Sequence, residues 1–143
     1  MSIQILVTDR ASIERGFLVR SSYALISIRD SDAKRARVPK VAGLRGFLHL
    51  AFDDAEPLGS AKLPAHIKSI TVTDARRIWR FVKEHRTTVG AFVIHCHQGM
   101  SRSPAVAAAL AVYLGMDEKP FWREHAPNLY VYRLLCDTRP GKA

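Results

Sequence analysis

The stretch Val93-Ile94-His95-Cys96-His97-Gln98-Gly99-Met100-Ser101-Arg102-Ser103-Pro104 constrains this chain more than any other. It joins an apolar run, Ala91 to Ile94, to a run of small residues from Ala105 to Leu114. The first run has the β-branched and aromatic character of a buried strand, and the second reads as a helix. Ser103 suits a helix N-cap, and Pro104 the first helical position, where its missing N–H costs nothing. The segment therefore predicts strand, tight loop and helix, with Gly99 inside the loop. Backbone N–H groups of such a loop can converge on one point, to which a helix N-terminus adds partial positive charge. That point suits a dianion.

Two side chains give this cradle its chemistry. Cys96 stands at the strand end, where the field of a helix N-terminus and nearby cations favours the thiolate, the form of cysteine that attacks. Arg102 follows after five intervening residues and offers a planar fork to two phosphate oxygens. A lone cysteine is more often a buried, inert hydrophobe. Here Gly99, Ser103 and the strand-to-helix setting accompany it, and together they point to attack on phosphorus.

The run HCHQGMSRS resembles the His-Cys-x5-Arg-Ser/Thr signature of the protein tyrosine phosphatase superfamily. Its Gly-x-Ser-Arg-Ser ending is most similar to the dual-specificity branch, and later stretches extend the resemblance over most of the chain. The resemblance implies that Cys96 is the nucleophile of a phosphocysteine intermediate and that Arg102 binds the phosphoryl group. It also implies that Ser103 helps the sulfur leave and that His95 tunes the thiolate. His97, Gln98, Gly99, Met100 and Ser101 then form the substrate-binding loop with Arg102.

At 143 residues the chain is expected to form a single domain over residues 1–143, long enough for a sizeable core. No apolar run approaches the roughly 20 residues of a membrane span, and MSIQILVTDR lacks the pattern of a secretory signal. Two cysteines, Cys96 and Cys136, make no disulfide framework. These features lead to the expectation of a cytoplasmic protein, where a catalytic thiol stays reduced. The net charge of +9 would draw anions such as a phosphorylated substrate. It comes without an aromatic-interleaved nucleic-acid motif, so nucleic acid is not an expected partner.

In chain order, Ile3–Val7 predicts a first strand, and Thr8 or Asp9 a cap for a helix to about Leu18. Tyr23–Ile28 predicts a second strand and Arg29–Gly43 a basic loop that could rim the site or simply be solvated. Phe47–Phe52 predicts a third strand, followed by a long irregular loop to about Thr71 containing Pro57, Gly59 and Pro64. Loops of this length in compact domains usually carry function or move. Phosphate ester cleavage needs an acid to protonate the departing oxygen. The residues alone leave Asp53 and Asp54 as turn or cap carboxylates. The family resemblance implies that Asp54 is the acid, with Asp53 its neighbour; Glu56 is the next candidate on the same loop.

Thr73 or Asp74 should cap an amphipathic helix to about His85, with Ala75, Ile78, Val82 and His85 on one face and Arg76, Arg80 and Lys83 on another. Gly115 should end the helix that follows the cradle, and Asp117 should cap a short helix to about His125. A final helix would turn Leu129, Tyr132, Leu135 and Cys136 inward, with a polar tail from Asp137. Asn128 is an N-cap by composition, and the resemblance implies that it also supports the phosphate loop from behind. No metal is expected, because His95, Cys96 and His97 alternate in direction and no second ligand pair follows. No cofactor is expected either. A disulfide between Cys96 and Cys136 would need Cα atoms within about 7 Å.

The expected architecture is α/β: a central, mostly parallel sheet of four to five strands with helices on both faces and the cradle at a strand's carboxyl end. The expected function is a cysteine-dependent phosphatase, with phosphotyrosine as first choice because its leaving oxygen has a pKa near 10. Phosphoserine and phosphothreonine are possible further substrates. The alternatives are a phosphoinositide or small-molecule phosphatase, a rhodanese-like sulfur transferase, and a module that binds phosphorylated partners without turnover. The Ser-Arg-Ser ending argues against the sulfur transferase, and the lack of a loop lysine beside Arg102 against phosphoinositides.

Overall fold

The computed structural model describes residues 3–57 and 62–141. Gly59 and the end of the tail lie outside these. The elements run β1 (Gln4–Asp9), α1 (Arg10–Arg15), β2 (Tyr23–Arg29), β3 (Leu44–Ala51), α2 (Val72–His85), β4 (Ala91–Cys96), α3 (Arg102–Tyr113), α4 (Lys119–Glu124) and α5 (Leu129–Thr138). The four strands form one all-parallel sheet in the order β1-β4-β2-β3.

The two central strands, β4 and β2, are apolar almost throughout and buried along their length, as expected of strands covered on both faces. Tyr23, Leu25, Ala91 and Val93 face Ile13 of α1 and the loop after β2. Ile26, Ile28, Phe92, Ile94 and Cys96 face the larger core under α2, α3 and α5. α3 is buried all round from Arg102 to Ala111. Its alanines let the sheet and α5 approach closely, which explains the small-residue run. Trp79 of α2 donates from Nε1 to the Leu135 carbonyl at 3.0 Å and so docks α5.

Several sequence expectations are corrected here. α1 stops at Arg15, because Gly16 takes a left-handed conformation at φ 97° and closes the helix. β3 begins at Leu44 rather than Phe47. α2 is capped by Thr71, in a reciprocal capping box in which Asp74 is the third residue of the helix. The short helix after Gly115 begins at Lys119 behind Glu118, while the Asp117 carboxylate accepts from Lys119 N at 3.0 Å. α5 buries Val131 and Leu135, whereas Leu129 is exposed, and the helix runs through Asp137 to Thr138. Among the described residues no helix is long and apolar enough to cross a membrane.

A parallel sheet sends all strand carboxyl ends to one edge, and here each contributes to one place. β1 ends in Asp9, β2 leads into Asp30, β3 into Phe52, Asp53 and Asp54, and β4 ends at Cys96. The chain visits β1, β2 and β3 before filling the slot between β1 and β2 with β4. The crevice at such a reversal is where open α/β sheets bind ligands.

Candidate active site

The loop from His97 to Ser101 carries the chain from the end of β4 into α3. Gly99 takes φ 72°, and a Cβ there would lie 2.8 Å from the Thr8 carbonyl oxygen and 2.9 Å from its carbon. Only glycine lets the loop lie this close to β1. The Arg10 N–H donates to the His97 carbonyl at 3.2 Å and holds the loop on its other side.

α3 starts one residue after Ser101, so Ser103 is not the N-cap that the Ser-Pro pair predicts. Ser103 lies in the first turn instead, fully buried, with its Oγ 3.2 Å from Cys96 Sγ. Ser101 occupies the cap position, but its hydroxyl does not cap the helix. It donates to Asp54 Oδ1 at 2.8 Å.

His95 and Cys96 point to opposite faces of the sheet, as neighbours on a strand must. His95 is buried on the α1 side, with Nε2 2.6 Å from Ser27 Oγ and Nδ1 3.2 Å from the Cys96 carbonyl. Ser27 stands opposite His95 in the parallel register of β2 and β4. Burial pushes the His95 pKa below the usual value, so the ring is neutral near pH 7. The sequence reading missed Ser27, whose only signal is a hydroxyl within the apolar run Tyr23–Ile28.

Cys96, Arg102, Asp54 and Asp30 border one cavity of about 90 Å³, whose rim includes His97, Gln98, Met100 and Ser101. His97, Gln98 and Met100 are exposed, while Cys96 and Arg102 are buried. The apolar cleft between Ile13, Tyr23 and Val38 is about 10 Å³ and holds no titratable group other than the Tyr23 phenol. Neither Cys96 nor Cys136 is in a disulfide, and Cys136 is half-buried against the larger core. Among the described residues no three His, Cys, Asp or Glu side chains are grouped as a metal site.

The two adjacent aspartates have separate surroundings. Asp54 borders the cavity, and its Oδ1 accepts from Ser101 Oγ and from Asn128 Nδ2, each at 2.8 Å. Asp53 turns away. Its carboxylate accepts from Ser31 N at 2.9 Å, Ser31 Oγ at 2.7 Å and Lys68 N at 2.7 Å. Burial alone would raise its pKa, but these hydrogen bonds, helped by the Arg102 charge, hold it below the usual carboxylate range.

Asn128 is fully buried. Its Oδ1 caps α5 through Val131 N at 3.0 Å, while Nδ2 reaches Asp54 and, at 3.1 Å, the Ala55 carbonyl. Its backbone N–H donates to the Ser101 carbonyl at 3.1 Å, joining α5 to the loop after β4. Glu56 accepts from Leu129 N at 3.3 Å at the start of α5. Asp30 was not singled out from the sequence. A charged residue directly after an apolar strand of a parallel sheet is the signal that could have found it.

No family model matches the chain, and no curated protein sequence matches it. Solved structures do. A human tyrosine phosphatase-like serine/threonine/tyrosine-interacting protein is 17% identical, with a TM-score of 0.61 over 92% of this chain and 87% of its own. A mouse candidate dual specificity phosphatase solved with zinc tungstate is also 17% identical, with a TM-score of 0.62 over 94% and 81%. A tyrosine phosphatase of Orf virus with triple substrate specificity is 13% identical, with a TM-score of 0.54 over 95% and 82%. The chain therefore has the α/β fold of the dual-specificity and tyrosine phosphatases over nearly its whole length.

Proposed function

We propose that this protein is a cysteine-dependent phosphoric monoester hydrolase acting on phosphotyrosine in proteins, with phosphoserine and phosphothreonine as further substrates. The observation that carries this reading is the meeting of a buried thiol, a guanidinium and a carboxyl group on one small cavity at the sheet's carboxyl edge. Cys96 Sγ attacks phosphorus and forms an S–P bond as the ester P–O bond breaks. Arg102 and the loop N–H groups hold the non-bridging oxygens, where charge is spread in the transition state. Asp54, through the Oδ2 that its two hydrogen bonds leave open, gives its proton to the leaving oxygen. Asp54 then takes a proton from water, which attacks phosphorus and breaks the S–P bond. The Ser103 hydroxyl donates to the departing sulfur, stabilising the regenerated thiolate.

The neutral His95 supports this arrangement from the opposite face by holding the Cys96 carbonyl. A free catalytic thiol suits a reducing compartment, which supports a cytoplasmic location. The likeness to a phosphatase-like interacting protein favours a second reading, a module that binds phosphorylated partners without turnover. One experiment separates the two. Wild type should release phosphate from tyrosine phosphopeptides, and acid-quenched enzyme should carry phosphate on Cys96. Cys96→Ser should bind the same peptides without releasing phosphate. Turnover by Cys96→Ser at the wild-type rate would overturn the proposal, and binding without turnover by wild type would establish the second reading.

A further inference from the structure

The Arg102 guanidinium has five N–H groups, and its surroundings divide them. Nη1 donates to the Phe52 carbonyl at 2.8 Å and forms an ion pair with Asp30 Oδ1 at 2.7 Å. Among the described residues the buried Nε has no hydrogen-bond partner. An unpaired buried donor on a cation is costly, and a ligand bound in the cavity would meet it. Nε–H and one Nη2–H lie along the same edge, with the spacing of two oxygens on a phosphoryl group. Nη1 is thus anchored by the protein, while Nε on the other side of the fork has no partner among the described residues.

We infer that Asp30 is a positioning residue for Arg102, pinning Nη1 so that the Nε–Nη2 edge is presented to the phosphoryl group; this rests on the phosphatase reading above. A single hydrogen bond, to Phe52, fixes one point and leaves the plane of the guanidinium free to tilt. The Asp30 ion pair on the same nitrogen adds a second constraint. The two anchors are themselves tied together. Asp30 is followed by Ser31, whose N–H and hydroxyl both donate to Asp53, and Asp53 directly follows Phe52. The same short segment continues into Asp54. The phosphate clamp and the acid are therefore held in register by one small network.

The rival role for Asp30 is a plug, a carboxylate lying where the phosphate must bind. Its side chain is 46% exposed and borders the cavity, which a plug would also show. A plug would occupy the Nε–Nη2 edge. Asp30 pairs with Nη1, which is not on that edge.

The test measures vanadate binding and turnover for wild type, Asp30→Ala and Asp30→Asn, each checked for folding by thermal melting, and repeats Asp30→Ala in the Arg102→Lys background. Asp30→Ala should bind vanadate more weakly and lose on the order of 10²-fold in kcat, the scale of a misplaced catalytic group. Asp30→Asn, whose amide oxygen can still accept from Nη1, should recover part of both. In the Arg102→Lys background Asp30→Ala should cost nothing further, because no fork remains to be held. Tighter vanadate binding by Asp30→Ala would make Asp30 a plug and overturn the inference. So would an unchanged rate, or a loss that persists in full beside Arg102→Lys. A wild type that neither binds vanadate nor turns over would sink the phosphatase reading itself.

Discussion

Asp53 and Asp54 are neighbours of identical chemistry, and replacing Asp53 by asparagine shows most directly that their roles are separate. The Asp53 carboxylate accepts three hydrogen bonds, from Ser31 N, Ser31 Oγ and Lys68 N. Hydrogen bonds to a charged group contribute about 1.5–3 kcal/mol each when buried. This site is partly exposed, so water replaces some of each, and about 1 kcal/mol per bond is the appropriate scale. Asparagine sets its NH₂ against the donor on one side and loses that bond, while its neutral oxygen weakens the two bonds on the other. The expected loss is about 2 kcal/mol, which for a chain of this size lowers Tm by roughly 5–10 °C.

The pH dependence follows from the lowered pKa of Asp53. A carboxylate favoured in the folded state contributes fully above its ordinary pKa of 3.8, and the contribution is lost as pH falls through the lower folded value. The Tm gap between wild type and Asp53→Asn should therefore hold from neutral pH down to about pH 4 and close below it. Thermal melting across this range measures both features. Below its melting range, Asp53→Asn should lose activity by the same factor for every leaving group. A wild-type Tm at neutral pH would refute the strut role. A rate loss that shrinks as the leaving-group pKa falls would make Asp53 the acid.

Asp54→Asn should show that second behaviour, losing about 10²–10⁴-fold on phosphotyrosine and progressively less on aryl phosphates with more acidic phenols; a uniform loss in a leaving-group series would count against it. Gly99→Ala forces a left-handed alanine, at about 1–2 kcal/mol, and drives a Cβ against the Thr8 backbone. Vanadate affinity and kcat should fall together, and wild-type values for both would mean the loop can move away from β1 without harm. Ser27→Ala strips His95 Nε2 of its partner in the core and should cost about 1–3 kcal/mol in chemical denaturation; an unchanged midpoint would contradict that pairing. Because burial lowers the His95 pKa, the unfolded chain takes up a proton first as pH drops below about 6.5, and stability falls with it. His95→Gln should flatten that part of the stability profile, and an unaltered slope would assign it to other histidines.

Much of the candidate site was legible because it is local. Cys96, Gly99, Arg102 and Ser103 lie within eight consecutive residues, so a strand, a glycine and a helix suffice to bring them together. The apolar runs announced the buried strands, and the alanine run announced a helix packed on all sides. Finer choices depended on backbone direction, which composition does not encode. Ser103 resembles a cap, but α3 begins earlier and its hydroxyl reaches the sulfur instead. α5 presents Val131 rather than Leu129 to the core, because its rotation is set by the Asn128 cap and the packing of α3.

Tertiary structure alone decided the partners that are distant in the chain. Ser27 meets His95 only because β4 enters the sheet beside β2 in that register. Asp30 reaches Arg102, and the Phe52 carbonyl reaches it too, only because the parallel order β1-β4-β2-β3 brings the strand ends to one edge. Asp53 and Asp54 differ only in the direction in which the chain turns after β3, a direction set by Ser31 and Lys68 on one side and Ser101 and Asn128 on the other. A covalent sequence specifies which groups are available within a few bonds. Which groups converge from tens of residues away depends on strand order, register and the path of each loop, and these emerge only from the balance of packing over the whole fold.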